Sequence, residues 1–221
     1  MKTNSMRLSA IILSLSTLIL FNCEQEKKTG PTMDYQFDDQ EKLLTCSEMD
    51  TLLINEALYS FRDDITNHYT FEQNNLPLSY RNFVNDAVNN RADYQNIVSE
   101  HTKQVFKALK QTPGIWRAKG DGYILDYDGP LFACIADNIS DQGLKKTIDA
   151  LLTTNSMSSR MLNEPLRQNT FKMRDDAYLA ALVAFDLYYA KLFDVDLSKP
   201  AKNPADSPAE AADGSHEGHN H

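Results

Sequence analysis

Residues 177–193, AYLAALVAFDLYYAKLF, constrain the fold of this chain more than any other stretch. Their apolar side chains fall on nearly every face of a helix, a pattern typical of helices surrounded by protein. The run has 17 residues and includes the charged Asp186 and Lys191. A membrane-spanning helix needs about 20 apolar residues and tolerates charge poorly. We therefore predict a buried central helix over about 171–194, in which Asp186 either finds a polar partner or lies on a narrow exposed side.

Helical spacing also recurs earlier in the chain. Thr45-x-x-Glu48 matches a capping box, and apolar residues then recur at helical intervals up to residue 65. Ser79 can cap a second helix, whose apolar face continues to about Val105 before the QTPG stretch at 111–114 stops it. The first half of the chain therefore predicts two long helices joined by a loop.

The segment 115–127 has a different composition. The β-forming residues on both sides of Gly120-Asp121-Gly122 predict a small hairpin. Shorter helices are predicted from Pro130 and over the LKKTIDALLTT stretch, followed by an irregular polar stretch. Glycine is scarce, at 8 of 221 residues, which disfavours a turn-rich all-β fold. The predicted fold class is all-α: an antiparallel bundle of about four to six helices with a β-hairpin insert near 115–127.

The first 28 residues have the three parts of a bacterial lipoprotein signal. MKTNSMR supplies a basic start, LSAIILSLSTLILF adds 14 uncharged residues, and Cys23 follows Leu20-Phe21-Asn22. The stretch resembles the lipobox of bacterial lipoproteins, with Asn22 where a small residue is usual. The polar CEQEKKTGPT that follows is similar to the leaders of Bacteroidota surface lipoproteins. The resemblance implies cleavage before Cys23, diacylglycerol on its thiol and anchoring to the outer membrane; an uncleaved anchor, or secretion with Cys23 unmodified, are the alternatives.

The chain divides into four parts by composition. Residues 1–22 are the predicted signal peptide, and 23–37 a charged, flexible tether. An α-helical domain is predicted over 38–197. The tail, 198–221, contains three prolines, many alanines and no large apolar residue, so we expect it to be disordered.

Charge limits the partners of the protein. The formal net charge is −9, and an acidic protein is poorly suited to bind phosphate-rich surfaces. We therefore expect no nucleic acid partner. The expected partners are the membrane, through the lipid, and either another envelope protein or a small molecule.

Beyond Cys23, the chain has two cysteines, Cys46 and Cys134. Outside the cytoplasm two such thiols can form a disulfide. They can equally well remain two separate buried thiols, because sequence spacing does not show that their Cα atoms approach within about 7 Å. Both outcomes stay open.

Two groups of histidines are candidate metal ligands. His216, His219 and His221 end the tail, and imidazoles suit zinc and copper, although a flexible tail has no surrounding groups to fix the rings. A solvated, metal-free terminus is the alternative. His68 and His101 fall on the apolar faces of the first two predicted helices. We interpret them as hydrogen-bonded core or boundary residues. The sequence identifies no cofactor other than the candidate zinc or copper at the tail.

Aromatic and acidic residues supply the remaining candidates. Trp116, Tyr123 and Tyr127 cluster in the predicted hairpin, where they could stack on a ligand or cover one end of the helices. The adjacent pairs at 63–64 and 175–176 point in different directions on a helix, so we interpret all four aspartates as solvated.

No sequence motif identifies a catalytic centre. Nucleophile elbows, phosphate loops, dinucleotide-binding glycines and zinc-protease motifs are all missing from the sequence. We therefore expect a non-enzymatic binding or interaction module. A metal-handling protein that uses the histidine tail is one alternative. An envelope hydrolase with a Ser/His/Asp triad assembled by the fold is a weaker one.

Overall fold

A computed structural model describes residues 33–199. This part of the chain is mostly helical and carries one small antiparallel β-hairpin, which confirms the helical class and the hairpin insert. The predicted signal peptide, Cys23 and the three tail histidines lie outside the described residues. The helices and strands are α1 (Thr51–Thr70), α2 (Leu76–Val88), α3 (Tyr94–Ile97), α4 (Glu100–Leu109), β1 (Trp116–Lys119), β2 (Gly122–Leu125), α5 (Pro130–Asn138), α6 (Gln142–Thr153), α7 (Ser159–Gln168) and α8 (Ala177–Val183).

The last helical run is continuous but irregular. Helix α8 is followed directly by a π-helical turn, Ala184–Tyr188, and a 3₁₀ segment, Tyr189–Asp194. Every residue from 179 to 190 is buried, as predicted for a central helix. The predicted start at 171 was wrong, because the Asp176 carboxylate caps α8 by accepting the N–H of Leu179 at 2.9 Å.

The predicted first helix also begins later than the capping box. Thr45 and Glu48 are exposed and precede α1 by several residues. Asp50 is the N-cap instead, and its Oδ1 accepts the N–H groups of Leu52 and Leu53 at 3.0 and 3.1 Å. The helix therefore begins after Asp50, five positions downstream of the predicted cap at Thr45.

The predicted second helix is broken into three. Helix α2 ends before Asn90, whose φ of 55° is left-handed and incompatible with a continuing helix. The short α3 follows, and α4 begins after Ser99, whose Oγ accepts the N–H of Thr102 at 3.1 Å. The sequence did not reveal these two breaks, because the apolar periodicity continues across both of them.

Helix α7 lies within the stretch that was predicted to be irregular. Leu162 and Leu166, one helical turn apart, are both fully buried. The stretch was predicted to be irregular from its Ser, Asn and Met content, yet it forms a helix even with Pro165 inside it. The helix ends shortly afterwards, where the Asn169 side chain donates to the Pro165 carbonyl at 2.8 Å.

The hairpin packs against the last helical run, with β2 in contact with both the π turn and the 3₁₀ segment. Lys119 pairs with Gly122 across a two-residue turn that begins at Gly120, whose φ of 59° suits glycine. This packing places the hairpin beside Asp186.

Cys46 and Cys134 form a disulfide, with their Cα atoms 5.8 Å apart. The bond joins the segment before α1 to helix α5. Within residues 33–199 no helix is long and apolar enough to cross a membrane.

Candidate ligand-binding site

A cavity of about 180 Å³ lies between the hairpin, the start of α7 and the last helical run. We call it the Asp186 cavity. Its lining includes Lys119, residues 122–124 of the hairpin, Ser159, Asp186, Lys191 and Asp194. Three separate parts of the chain therefore contribute to one small space that is rich in charged and polar groups.

Asp186 is the most buried polar group of this cavity, with only 1% of its surface exposed. Its Oδ1 accepts the hydroxyl protons of Tyr127 at 2.6 Å and of Ser159 at 2.8 Å. Its Oδ2 is buried and has no hydrogen-bond partner within residues 33–199. Buried carboxylate oxygens are rarely left unsatisfied, so this atom marks the site.

The surroundings of Asp186 act on its charge in opposite directions. Burial raises the pKa of the Asp186 carboxyl, while the hydrogen bonds from Tyr127 and Ser159 and the charge of Lys191 oppose that rise. Burial, followed by the nearby Asp186 charge, raises the pKa of Tyr127 as well. Tyr127 therefore remains a proton donor to the carboxyl over the accessible pH range.

The π turn accounts for the position of Asp186. A π turn widens the helix by one residue and shifts the directions of the side chains that follow, and such turns occur frequently at functional sites. Here it runs over Ala184–Tyr188, with Asp186 at its centre. Tyr127 and Ser159 reach the carboxyl from 59 and 27 positions away.

A second, shallower depression of about 590 Å³ lies next to the Asp186 cavity. Its aromatic wall consists of Trp116, Tyr123 and Phe193, which we call the aromatic surface. The Phe193 ring lies 4.6 Å from that of Tyr123 and 5.3 Å from that of Trp116. The Trp116 indole is held in place by donating to the carbonyl of Leu109 at 2.9 Å. Because Tyr123 lines both depressions, the two form adjacent parts of one site.

The predicted stacking residues therefore separate into two groups. Trp116 and Tyr123 lie together on the aromatic surface, and Tyr123 is 47% exposed. Tyr127 is buried and packs edge-on against Phe132, and its hydroxyl donates a hydrogen bond to Asp186. Phe193 was not identified from the sequence, because it is the last residue of the apolar run and looks like a core residue.

The two described histidines lie apart from the cavity lining. His101 Nε2 is 2.7 Å from Oε1 of the buried Glu56. The same carboxylate accepts the N–H groups of Gln36 at 2.6 Å and Phe37 at 3.0 Å, so residues at the end of the predicted tether are already bonded to the body. His68 is exposed at the end of α1, and its ring contacts that of Tyr69.

The prediction that both aspartate pairs are solvated was half wrong. Asp63 and Asp175 are exposed, but Asp64 and Asp176 are buried. Each buried carboxylate bonds to a distant backbone amide: Asp64 to Ser99 at 3.3 Å and Asp176 to that of residue 140 at 2.8 Å. Adjacent positions of α1 face different environments, which explains why Asp63 and Asp64 differ, whereas Asp176 is buried as the N-cap of α8.

Residues 33–199 contain no group of three or more His, Cys, Asp or Glu side chains that could hold a metal ion. Comparison of the chain with protein-family models, with curated proteins and with solved structures gives no significant match. The function is therefore inferred from the geometry of the Asp186 cavity and the aromatic surface.

Proposed function

We propose that the protein is a lipid-anchored binding protein of the cell envelope that takes a small polar ligand in the Asp186 cavity. The observation that carries this proposal is the buried Oδ2 of Asp186, which has no partner within the described residues. Leaving such an acceptor unsatisfied costs about 1–3 kcal/mol. A ligand that donates a hydrogen bond to this oxygen would recover that free energy on binding.

The aromatic surface supports the same proposal. It lies beside the cavity and shares Tyr123 with it, so a ligand with its polar end at Asp186 can extend an apolar part towards Phe193. Small-molecule sites commonly combine apolar and aromatic walls with a few placed polar groups. The two depressions together have that composition.

The alternatives have less support. A hydrolase that uses Ser159 would need a base for its proton, and the described lining of the cavity has no histidine. Ser159 donates to a buried carboxylate instead. Metal handling depends on His216, His219 and His221, which lie outside the described residues, and calorimetry with zinc and copper on chains with and without 214–221 would test it.

Membrane anchoring is a separate element of the proposal and has its own test. It is supported by the apolar run that ends at Cys23 and by the charged segment after it. Cells grown with a palmitate analogue should label the wild-type protein and not a Cys23→Ser variant. Label retained by that variant would contradict lipidation at Cys23.

The binding proposal is tested by a fragment screen that monitors backbone amides by NMR. Hits should shift the amides of residues 124, 159, 190 and 191, and these shifts should disappear in Asp186→Asn. Asp121→Asn is the matched control, because it makes the same substitution in the exposed hairpin turn. Hits that bind Asp186→Asn unchanged would contradict the proposal. Hits recovered chemically altered would favour the hydrolase alternative.

A further inference from the structure

The charges around the Asp186 cavity are arranged by depth. Asp186 lies at the buried end, with its Oδ2 unsatisfied within the described residues. Lys119 is exposed and Lys191 is half-buried, so both ammonium groups lie nearer to solvent. Asp194 is exposed and lies against Gly122, where an added Cβ would approach its Oδ1 to 3.2 Å. The cavity therefore combines one buried carboxylate, that of Asp186, with two ammonium groups and the Asp194 carboxylate nearer to solvent.

Neither lysine is engaged in an ion pair in the described part of the chain, although the Asp194 carboxylate lines the same cavity. Within residues 33–199 neither Lys119 nor Lys191 forms an ion pair or a side-chain hydrogen bond, and Lys191 acts on Asp186 only through its charge. Lysine ammonium groups placed in this way can receive a carboxylate from a ligand. Asp186 Oδ2 can receive a hydrogen bond from a ligand, and a charged donor would give the strongest one.

We infer that the Asp186 cavity takes a small zwitterion, with its ammonium group on Asp186 and its carboxylate between Lys119 and Lys191. This inference rests on the proposed function, because it names the class of ligand for the same site. An ammonium donor supplies the positive charge that a buried carboxylate needs. A simple amine would leave both lysines unpaired, and a simple carboxylate would leave Asp186 unsatisfied.

The size of the cavity sets the size of the zwitterion. The cavity volume of about 180 Å³ is below the roughly 300–1,000 Å³ of pockets for drug-sized ligands, so only a small head group fits inside it. The ligand head that fits is therefore about the size of an α-amino acid with a very short side chain. A longer side chain would extend along Tyr123 to the aromatic surface.

Three small compounds separate the contributions of the two charges. Alanine carries both groups, ethylamine carries the ammonium alone, and propionate carries the carboxylate alone. Each is titrated by calorimetry into the full chain isolated in detergent. We expect alanine to bind at least tenfold more tightly than either of the other two. Asp186→Asn should weaken alanine at least tenfold, and Lys191→Met should weaken it several-fold.

A proton count gives a second readout of the same contact. Burial raises the pKa of Asp186, so an arriving ammonium group favours loss of the carboxyl proton. Alanine titrations in buffers of different ionisation enthalpy should therefore show proton release at a pH low enough for the free Asp186 carboxyl to hold its proton. Asp186→Asn has no such proton, and any release should disappear with it.

The outcomes separate this inference from the proposed function. Ethylamine or propionate binding as well as alanine, in an Asp186-dependent way, would overturn the zwitterion and leave the binding site in place. If alanine does not bind but the fragment screen gives an Asp186-dependent hit, the zwitterion is again overturned and the binding site remains. Failure of alanine together with failure of the screen would overturn both. Because Lys191 is half-buried at the rim, its methionine variant remains testable even if Asp186→Asn does not fold.

Discussion

The hydroxyl of Tyr188 donates a hydrogen bond to Oδ2 of Asp64, joining the π turn to helix α1 across 124 positions of the chain. Both side chains are buried, and the same carboxylate oxygen accepts the N–H of Ser99 at the start of α4. Burial raises the pKa of Asp64, and hydrogen bonds from Thr102, Tyr188 and Ser99 oppose that rise. Asp64 thus connects three helical segments in the interior.

We predict that Tyr188→Phe lowers the free energy of unfolding by about 1–3 kcal/mol, because it removes a donor to a buried carboxylate. The phenyl ring keeps the contacts with Phe61 and Phe83, so the packing changes little. Urea denaturation measures the loss. Tyr123→Phe is the matched control, since Tyr123 is half-exposed, and its change should stay within about 0.5 kcal/mol. A larger loss in the control than in Tyr188→Phe would contradict the role of the Asp64 contact.

The sequence predicted the existence of elements better than their ends. The apolar run around Asp186 and the hairpin at Gly120 carry strong local patterns, and both are present. Helix ends depend on which of several nearby polar side chains captures the first amide groups. Asp50 and Asp176 do so, and the weaker Thr45 pattern does not. The antiparallel bundle arrangement stays a prediction.

The site was only partly predictable for a related reason. Asp186 could be identified as a residue that needs a partner, because it is a charge inside an apolar helix. Its two donors could not, because Tyr127 and Ser159 approach it only through tertiary packing. Ser159 was missed as well, because it begins α7 in the stretch that was predicted to be irregular.

Reduction of Cys46–Cys134 should destabilise the protein by about 4–5 kcal/mol in the chain-entropy model, because the disulfide closes a long loop. The two cysteines are 88 positions apart. Denaturation with and without a reductant measures the difference, and mass spectrometry counts the thiols. A Cys46→Ser, Cys134→Ser double variant should resemble the reduced protein and not respond to the reductant. Two thiols that react without reduction would contradict the bond.

Glu56→Gln should loosen the chain segment that precedes α1. The Glu56 carboxylate accepts the amides of Gln36 and Phe37 and contacts His101, and a glutamine keeps only one acceptor oxygen. Each charged hydrogen bond contributes about 1.5–3 kcal/mol, so amide exchange at 36 or 37 should accelerate about tenfold or more.

Hydrogen exchange followed by mass spectrometry measures the effect on this segment. Glu100→Gln serves as the control, because Glu100 is exposed on α4 and pairs with Lys103. Its exchange at residues 36 and 37 should match the wild type. Equal exchange in both variants would show that Glu56 does not hold the segment.

Asp186→Asn should change the pH dependence of stability. Because burial raises the folded-state pKa of Asp186 above the ordinary value of 3.8, the folded protein binds a proton that the unfolded chain has lost. The stability from this carboxyl is fully present below pH 3.8 and is lost as pH rises through the folded-state pKa. Asparagine does not titrate, so the unfolding free energy of the variant minus that of the wild type should increase over this window and then level off.

Asp141→Asn provides a control of opposite sign. Its hydrogen bond from Lys172 lowers the pKa of Asp141, so the stability from this carboxyl is present above the ordinary value and is lost as pH falls. The advantage of the wild type over Asp141→Asn should therefore grow as pH rises. Thermal denaturation of the three proteins across the acidic range measures both slopes. The titratable groups that face Asp186 are Tyr94, Tyr127 and Lys191, and all three remain in its variant. Parallel slopes for the two variants would contradict a raised pKa at Asp186.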